Sequence, residues 1–365
     1  MDILKEIESF FYDEFKALDE FKSQGGKIAA VFCRKFPASL LSGLGLWPLR
    51  VLSGATGHAE SVGERIVRPD VCPYCKSIIG NFLEKSSIHK HVDIIVGLIT
   101  CDQMRRTLER LSADLNLPVF PVQLPATDSR ESEEYFIHGV RNVLENISTY
   151  LGKEIDFSAV RKDWETRIEI AGILADLMWK CGALPLITHR LAQLYAWARP
   201  AEFLKFVREI VPKLPEFKPD FSVIATGSVL CNEDDTLIRI LSERNVCSIP
   251  LNCTGLNMVE GLESVEDISD EELMPALSRI IYRMPSCIRV RPNKKVYDRI
   301  GEALEKTKAK GIILKTLSFC DLWYTEKERM KRSFNVPVLV YDSTYGEGEI
   351  GRASTRIETF LEALS

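Results

Sequence analysis

Four cysteines stand where this sequence could do chemistry. Cys72 and Cys75 bracket Pro-Tyr in Asp70-Val-Cys-Pro-Tyr-Cys-Lys-Ser, Cys101 closes the run Val92-Asp-Ile-Ile-Val-Gly-Leu-Ile-Thr, and Cys320 follows Gly311-Ile-Ile-Leu-Lys-Thr-Leu-Ser-Phe. Cys101 and Cys320 are each followed by aspartate. All sit where an apolar, β-branched stretch hands over to a helix-like one. Strand ends and the N-termini of the following helices are where parallel α/β proteins place ligand chemistry. Iron–sulfur clusters are held by thiolates, and three protein thiolates leave one iron open. Helix N-termini lower thiolate pKa and offset the negative charge of a cluster. The expectation is that Cys72, Cys101 and Cys320 meet on one iron–sulfur cluster, with Cys75 in reserve. Two other chemistries stay open. A zinc ribbon needs a second Cys-x-x-Cys, which is missing. A thioredoxin-like motif would leave the two Cys-Asp sites unexplained.

Composition narrows the setting. The chain has 365 residues, 45% of them hydrophobic, and a net charge of -5. That length suggests two or three domains with large cores. The negative charge argues against broad nucleic-acid binding. No run approaches the roughly 18 apolar residues of a membrane span. Met1-Asp-Ile-Leu-Lys-Glu-Ile-Glu reads as an amphipathic helix rather than a signal peptide. A cytoplasmic setting is expected, where ten cysteines point to metal or redox chemistry more than to disulfides. Cys33, Cys181, Cys231, Cys247, Cys253 and Cys287 are read as core or loop residues, with Cys253 and Cys287 as further candidates near element ends.

The elements that must position these residues alternate. Residues 1–25 read as a helix. Strands are expected at 27–33, 47–54, 92–100 and 119–124, with helices from 36, after Cys72, over 102–115 and over 132–150. This βαβα pattern argues for a parallel sheet covered by helices. From 156 to 213 only helical periodicity appears, over 160–180, 187–197 and 201–211. A second α/β unit follows, with strands at 221–227, 246–251, 311–317 and 336–341, and helices at 236–244, 270–284, 294–309 and 352–364. The expected fold is two Rossmann-like parallel-sheet domains, 1–155 and 218–365, with a helical domain, 156–217, inserted between them and the cluster in the cleft.

The same segments carry a resemblance. Phe36-Pro-Ala-Ser-Leu-Leu-Ser-Gly-Leu-Gly-Leu-Trp-Pro-Leu-Arg-Val, Cys72-Pro-Tyr-Cys-Lys-Ser, Thr100-Cys-Asp-Gln-Met-Arg-Arg, Ser318-Phe-Cys-Asp and Gly351-Arg-Ala-Ser-Thr-Arg-Ile-Glu together resemble the 2-hydroxyacyl-CoA dehydratase and benzoyl-CoA reductase subunit family, component D type. The resemblance implies a [4Fe-4S] cluster on Cys72, Cys101 and Cys320, and makes Cys75 the weaker candidate. It also implies pairing with a sister subunit or with itself, and an ATP-dependent iron–sulfur activator that injects single electrons. Gln-Met-Arg-Arg after Cys101-Asp102, in place of the lysine-rich run of homodimeric double-cubane relatives, favours a dehydratase or reductase subunit.

The implied reaction removes water from an (R)-2-hydroxyacyl-CoA to give an enoyl-CoA. One electron delivered to the thioester carbonyl makes a ketyl radical, which expels hydroxide and acidifies the otherwise unreactive β-hydrogen. A cluster suits such one-electron chemistry. Alternatives are a benzoyl-CoA reductase subunit, a double-cubane-type reductase or electron carrier, and a non-catalytic zinc scaffold. Ser39 and Ser42 could bond substrate or an iron-bound water, or cap a helix. His58 and Glu60, read in a glycine-flanked loop, could act as acid and base. His89 and His91 read as surface residues, His138 and His189 as helix positions. Arg105 and Arg106 could neutralise cluster charge, and Arg356 could meet a CoA phosphate or form a salt bridge. Gly227 and Gly351 are read as giving backbone room, and no nucleotide motif is present.

Overall fold

Residues 3–365 are described in a computed structural model; Met1 and Asp2 of the first expected helix lie outside them. β1 (Lys27–Val31), β2 (Leu46–Arg50), β3 (Ile94–Ile99) and β4 (Val119–Gln123) form one sheet in the order β2-β1-β3-β4. β5 (Phe221–Gly227), β6 (Val246–Leu251), β7 (Gly311–Leu317) and β8 (Val338–Ser343) form a second in the order β6-β5-β7-β8. Every pairing in both is parallel. The two sheets therefore share one plan, as expected of two Rossmann-like units. β3 and β7 are apolar runs without alternation, the pattern of strands covered on both faces. All seven residues of β7 are buried.

Between the sheets run three helices, Phe157–Trp179, Pro185–Tyr195 and Pro200–Ile210, the last two opened by a proline in the first turn. The largest core is continuous through all three parts. It joins Ile28, Leu49 and Ile95 of the first sheet, Leu174, Leu191 and Phe203 of the helices, and Ile224, Ile249 and Ile312 of the second sheet. The helix Asp270–Arg283 packs on the far core of the first sheet, its Leu273, Leu277 and Ile281 meeting Val140 and Leu144 of helix Arg130–Leu151. Late sequence thus covers the early sheet. Among the described residues no helix is long and apolar enough to cross a membrane.

Several local expectations change. The helix expected from residue 36 shrinks to Ser39–Ser42, ended by glycines at 43 and 45. β8 starts at Val338, because Pro337 has no N–H for the ladder. His58 and Glu60 lie on a helix, Gly57–Gly63, not in a loop, since the Thr56 hydroxyl accepts from the Ala59 N–H at 3.2 Å and caps it. His89 and His91 are buried, at 3% and 7% exposure, in a short 3-10 turn. Gly227 does give room: a Cβ there would lie 1.9 Å from the Lys315 carbonyl oxygen. Gly351 lies inside helix Glu347–Leu364, with open space around it. Cys181 and Cys247, expected as separate core thiols, are joined in a disulfide with Cα atoms 5.8 Å apart. The link ties the end of the long inserted helix to β6.

Helices Gly57–Gly63 and Pro73–Glu84 touch backbone to backbone. A Cβ at Gly80 would lie 2.0 Å from the Ala59 carbonyl oxygen, and one at Gly63 2.1 Å from that of Lys76. Neither backbone can yield without separating the helices. Gly80→Ala is therefore expected to cost about 3 kcal/mol, the upper range for overpacking. Urea unfolding of the variant against the parent chain measures it. The second helix carries Cys75, with Cys72 at its N-cap, so this close fit also fixes the thiols.

Candidate functional site

Each cysteine of the expected set opens a helix. Cys72 is the N-cap of Pro73–Glu84, Cys101 of Asp102–Leu115, and Cys320 of the short Asp321–Tyr324. Their elements follow a loop, β3 and β7 respectively. The Cys101 sulfur accepts from the Met104 N–H at 3.3 Å, standing where a serine or aspartate oxygen usually caps. Phe319, before Cys320, holds φ +62°, in the left-handed region rarely used by a bulky residue. That turn carries Cys320 out of the line of β7.

One side chain joins the three places. Gln103, two residues past Cys101, accepts from the Cys72 backbone N–H through Oε1 and donates from Nε2 to the Phe319 carbonyl at 2.9 Å. A single amide thus spans the Cys72 loop and the Cys320 loop from the helix behind Cys101. Cys72 and Cys320 also pack on one small cluster, Ala55, Cys231, Leu317 and Tyr345. Gln103→Ala is expected to lower stability by about 1 kcal/mol, the scale of one lost hydrogen bond, and to loosen the two loops together. Thermal melting reads the first effect and hydrogen exchange at Phe319 and Cys72 the second.

The thiols sense one another. Burial raises Cys101, and negative charge on Cys72 adds to the rise. Burial pushes Cys320 up to about 11, helped by Cys72 and Cys101 and opposed by a hydrogen bond from Ser228. Charge on Cys72 opposes ionisation of Cys101 and Cys320, and charge on Cys101 opposes that of Cys320, so the sulfurs lie within electrostatic reach of one another. Cys72 and Cys75 divide the work. The Cys75 thiol donates to Cys72, which lowers Cys72 and holds Cys75 well above the ordinary thiol range. Cys75 is 2% exposed and sits in the core. Among the described residues no three His, Cys, Asp or Glu side chains are placed to hold a single metal ion. A cubane spreads its ligands around four metals rather than one, so segments that do not converge on a single ion can still hold one.

The other expected residues divide. Glu60 is buried: its Oε1 accepts from the Tyr345 N–H at 2.7 Å, its Oε2 lies 3.5 Å from the Lys76 ammonium, and its charge is felt at Cys72. His58 is exposed and pairs with Glu84 at 2.8 Å. Ser39 and Ser42 both donate to Asp163 of the inserted helix, at 2.5 and 3.0 Å, so they tie that helix to the first sheet. Arg105 pairs with Asp102 and Glu109 along its own helix. Arg356 donates to the Val340 carbonyl. Sequence reading missed Gln103 and Ser228, whose roles need the fold. It also missed Lys315, a lysine inside an apolar strand, 1% exposed and paired with Asp234. A charge in such a strand is the signal that would have found it.

Comparison with known proteins fits this geometry. The family model of the 2-hydroxyglutaryl-CoA dehydratase D-component matches residues 33–364. The chain belongs to that family. The match takes in all three helix-capping cysteines. The protein YjiM of Escherichia coli (strain K12), which carries the name of a dehydratase subunit, is 21% identical over 371 residues, covering 96% of this chain and 94% of its own. Membership makes this chain a dehydratase subunit of D-component type, a lyase-type protein, and D components partner with other dehydratase subunits.

Proposed function

We propose that the chain is the iron–sulfur subunit of a radical 2-hydroxyacyl-CoA dehydratase, with a [4Fe-4S] cluster held by Cys72, Cys101 and Cys320. The observation that carries this reading is the Gln103 bridge, which draws the three cysteine-bearing segments together. Bound there, the cluster would supply one-electron transfer and Lewis acidity.

The chain's own residues do the rest. Three thiolates from three helix N-termini hold the group where partial positive charge offsets its anionic charge. Cys75 keeps a hydrogen bond on Cys72 and stays in the core. Gln103 and the Phe319 turn fix the approach of Cys320 to the other two. Glu60, buried beside Tyr345, is the acid–base candidate nearest the thiols; His58 faces solvent and is the weaker one. The substrate is a 2-hydroxyacyl-CoA, the electron source an ATP-hydrolysing iron–sulfur activator, and the partner a sister dehydratase subunit.

The test is anaerobic co-expression with the neighbouring subunit and ATPase genes. A brown complex with about four irons for this chain that dehydrates a 2-hydroxyacyl-CoA only with activator and ATP is the expected result. Activity of the isolated chain toward small substrates without a partner would favour an electron-carrier or reductase role instead. Zinc without iron at Cys72 and Cys75 would overturn the reading.

A further inference from the structure

A lysine is buried in the strand that leads to Cys320. Lys315 lies in β7, an interior strand of the second sheet, and is 1% exposed. Side chains two apart share a strand face, so Lys315 stands between Ile313 and Leu317, where an apolar side chain is expected. Taking an ammonium out of water is costly, and a leucine there would escape that cost. Its partners are few. Asp234 forms an ion pair with it, and its Nζ lies 5.8 Å from the centroid of the Tyr345 ring.

The surroundings of this lysine belong to the thiol site. Tyr345, Leu317 and Cys231 form the small core on which Cys72 and Cys320 pack. The Lys315 carbonyl accepts the Ser228 N–H at 2.9 Å. The Ser228 hydroxyl in turn accepts from the Leu317 N–H at 3.2 Å and bonds Cys320. Negative charge on Cys231 and on Cys72 is felt at the Lys315 ammonium.

Other charges near the thiols do less to offset an anionic group. Glu60, whose charge opposes ionisation of Cys72, lies 3.5 Å from the Lys76 ammonium, which also pairs with Glu64 at 2.7 Å. Two carboxylates thus share one cation. Arg105 and Arg106, behind Cys101, are exposed and paired along their own helix, where water and salt screen them. The Lys315 side chain is 2% exposed and that of Asp234 12%. Solvent therefore damps the carboxylate more than the ammonium, and the pair presents net positive potential to its buried side.

We propose that Lys315, held by Asp234, is the buried positive charge that eases entry of an electron at the thiolate site, a positioning residue for one-electron chemistry there. The proposal rests on the cluster reading above and adds the residue that tunes it. One electron enters from a one-electron donor, no bond forms or breaks, and the negative charge of the site rises by one. Cluster potentials follow net charge, hydrogen bonds to sulfur and solvent exposure, and a buried ammonium acts through the first of these. A unit charge within roughly 10 Å, at the effective dielectric of a protein interior, changes such an equilibrium about tenfold.

The experiment is a dye-mediated redox titration of the full chain, reconstituted anaerobically with iron and sulfide and followed by electron paramagnetic resonance. Burial pulls Lys315 down to about 7, so the titration is run at about pH 6.5, where the lysine keeps its proton. At the parent's midpoint potential, Lys315→Gln is expected to lower the ratio of reduced to oxidised cluster about tenfold, a shift of ~59 mV for one electron. Asp234→Asn is expected to move it the other way, by about threefold or more. Iron content confirms that each variant is loaded. An ion pair that only braces the fold would shift neither ratio, or shift both alike, and either result overturns the proposal while leaving the cluster reading intact. If Lys315→Gln does not fold, Asp234→Asn decides alone: a raised ratio keeps the proposal, and an unchanged or lowered one overturns it. A parent chain that takes up no iron overturns the cluster reading and this role with it.

Discussion

Serine at Cys72, Cys101 or Cys320 is expected to remove most of the bound iron, whereas serine at Cys75 leaves the iron nearly unchanged. The first three residues cap helices at the ends of separate elements, and the Gln103 amide ties two of their loops to the helix behind the third. In the proposed assignment each supplies a ligand from its own chain segment, so no neighbour can substitute. A serine oxygen is a harder, more basic donor than a thiolate and holds such iron poorly. Cys75 is different in kind. It is nearly inaccessible, its thiol donates to Cys72, and it sits on the core side of its helix. Serine there preserves a donor to Cys72. Iron and sulfide analysis after anaerobic reconstitution, with electron paramagnetic resonance of the reduced samples, measures the outcome. Circular dichroism melting separates ligand loss from misfolding. Equal loss from all four variants would mean that Cys75 is a ligand. Undiminished iron in the Cys101 or Cys320 variant would break the three-thiolate assignment.

The sequence made the strand-to-helix handovers visible because they combine two signals that do not interfere. An unalternating apolar run reads as a buried parallel strand, and Cys-Asp then stands where an N-cap belongs; β5, β6 and β7 begin and end where periodicity places them. What stayed hidden depends on contacts across long sequence distances. Gln103 reads as an ordinary polar residue in a first turn, and its role exists only because residues 72 and 319 come to it. His89 and His91, flanking Lys90, read as solvent-facing because charged neighbours dominate a short window. Burial of both rings comes from Phe82 and Phe15, which approach from helices elsewhere in the chain. The Ser39 and Ser42 hydroxyls read as facing a cleft or capping a helix, and their actual partner, Asp163, is more than a hundred residues away.

The buried histidines make the fold acid-sensitive well above the carboxylate range. Burial lowers His89 to about 4, and burial, aided by the positive charge of Arg190, lowers His189 to about 4. An unfolded histidine titrates near 6.5. Between these values the unfolded chain binds two protons that the folded chain refuses. Stability therefore rises with pH across that window, is fully present above about pH 6.5, and is lost as the pH falls toward 4. Each ring accounts for about 3 kcal/mol over the whole interval, since a proton refused across one pH unit is worth about 1.4 kcal/mol. The pair together removes a large part of the 5–15 kcal/mol typical of a folded domain. Urea midpoints recorded from pH 7.5 to 4.5 are expected to fall steeply below 6.5, before most aspartates and glutamates protonate. His89→Leu and His189→Leu should each flatten the fall by roughly half, because leucine keeps an apolar body in the same space and has no proton to take. A midpoint flat from pH 7.5 to 5 in the parent chain would mean that water or a local opening reaches these rings, and that the packing around Phe82 and the Pro185–Tyr195 helix is looser than the structure draws it.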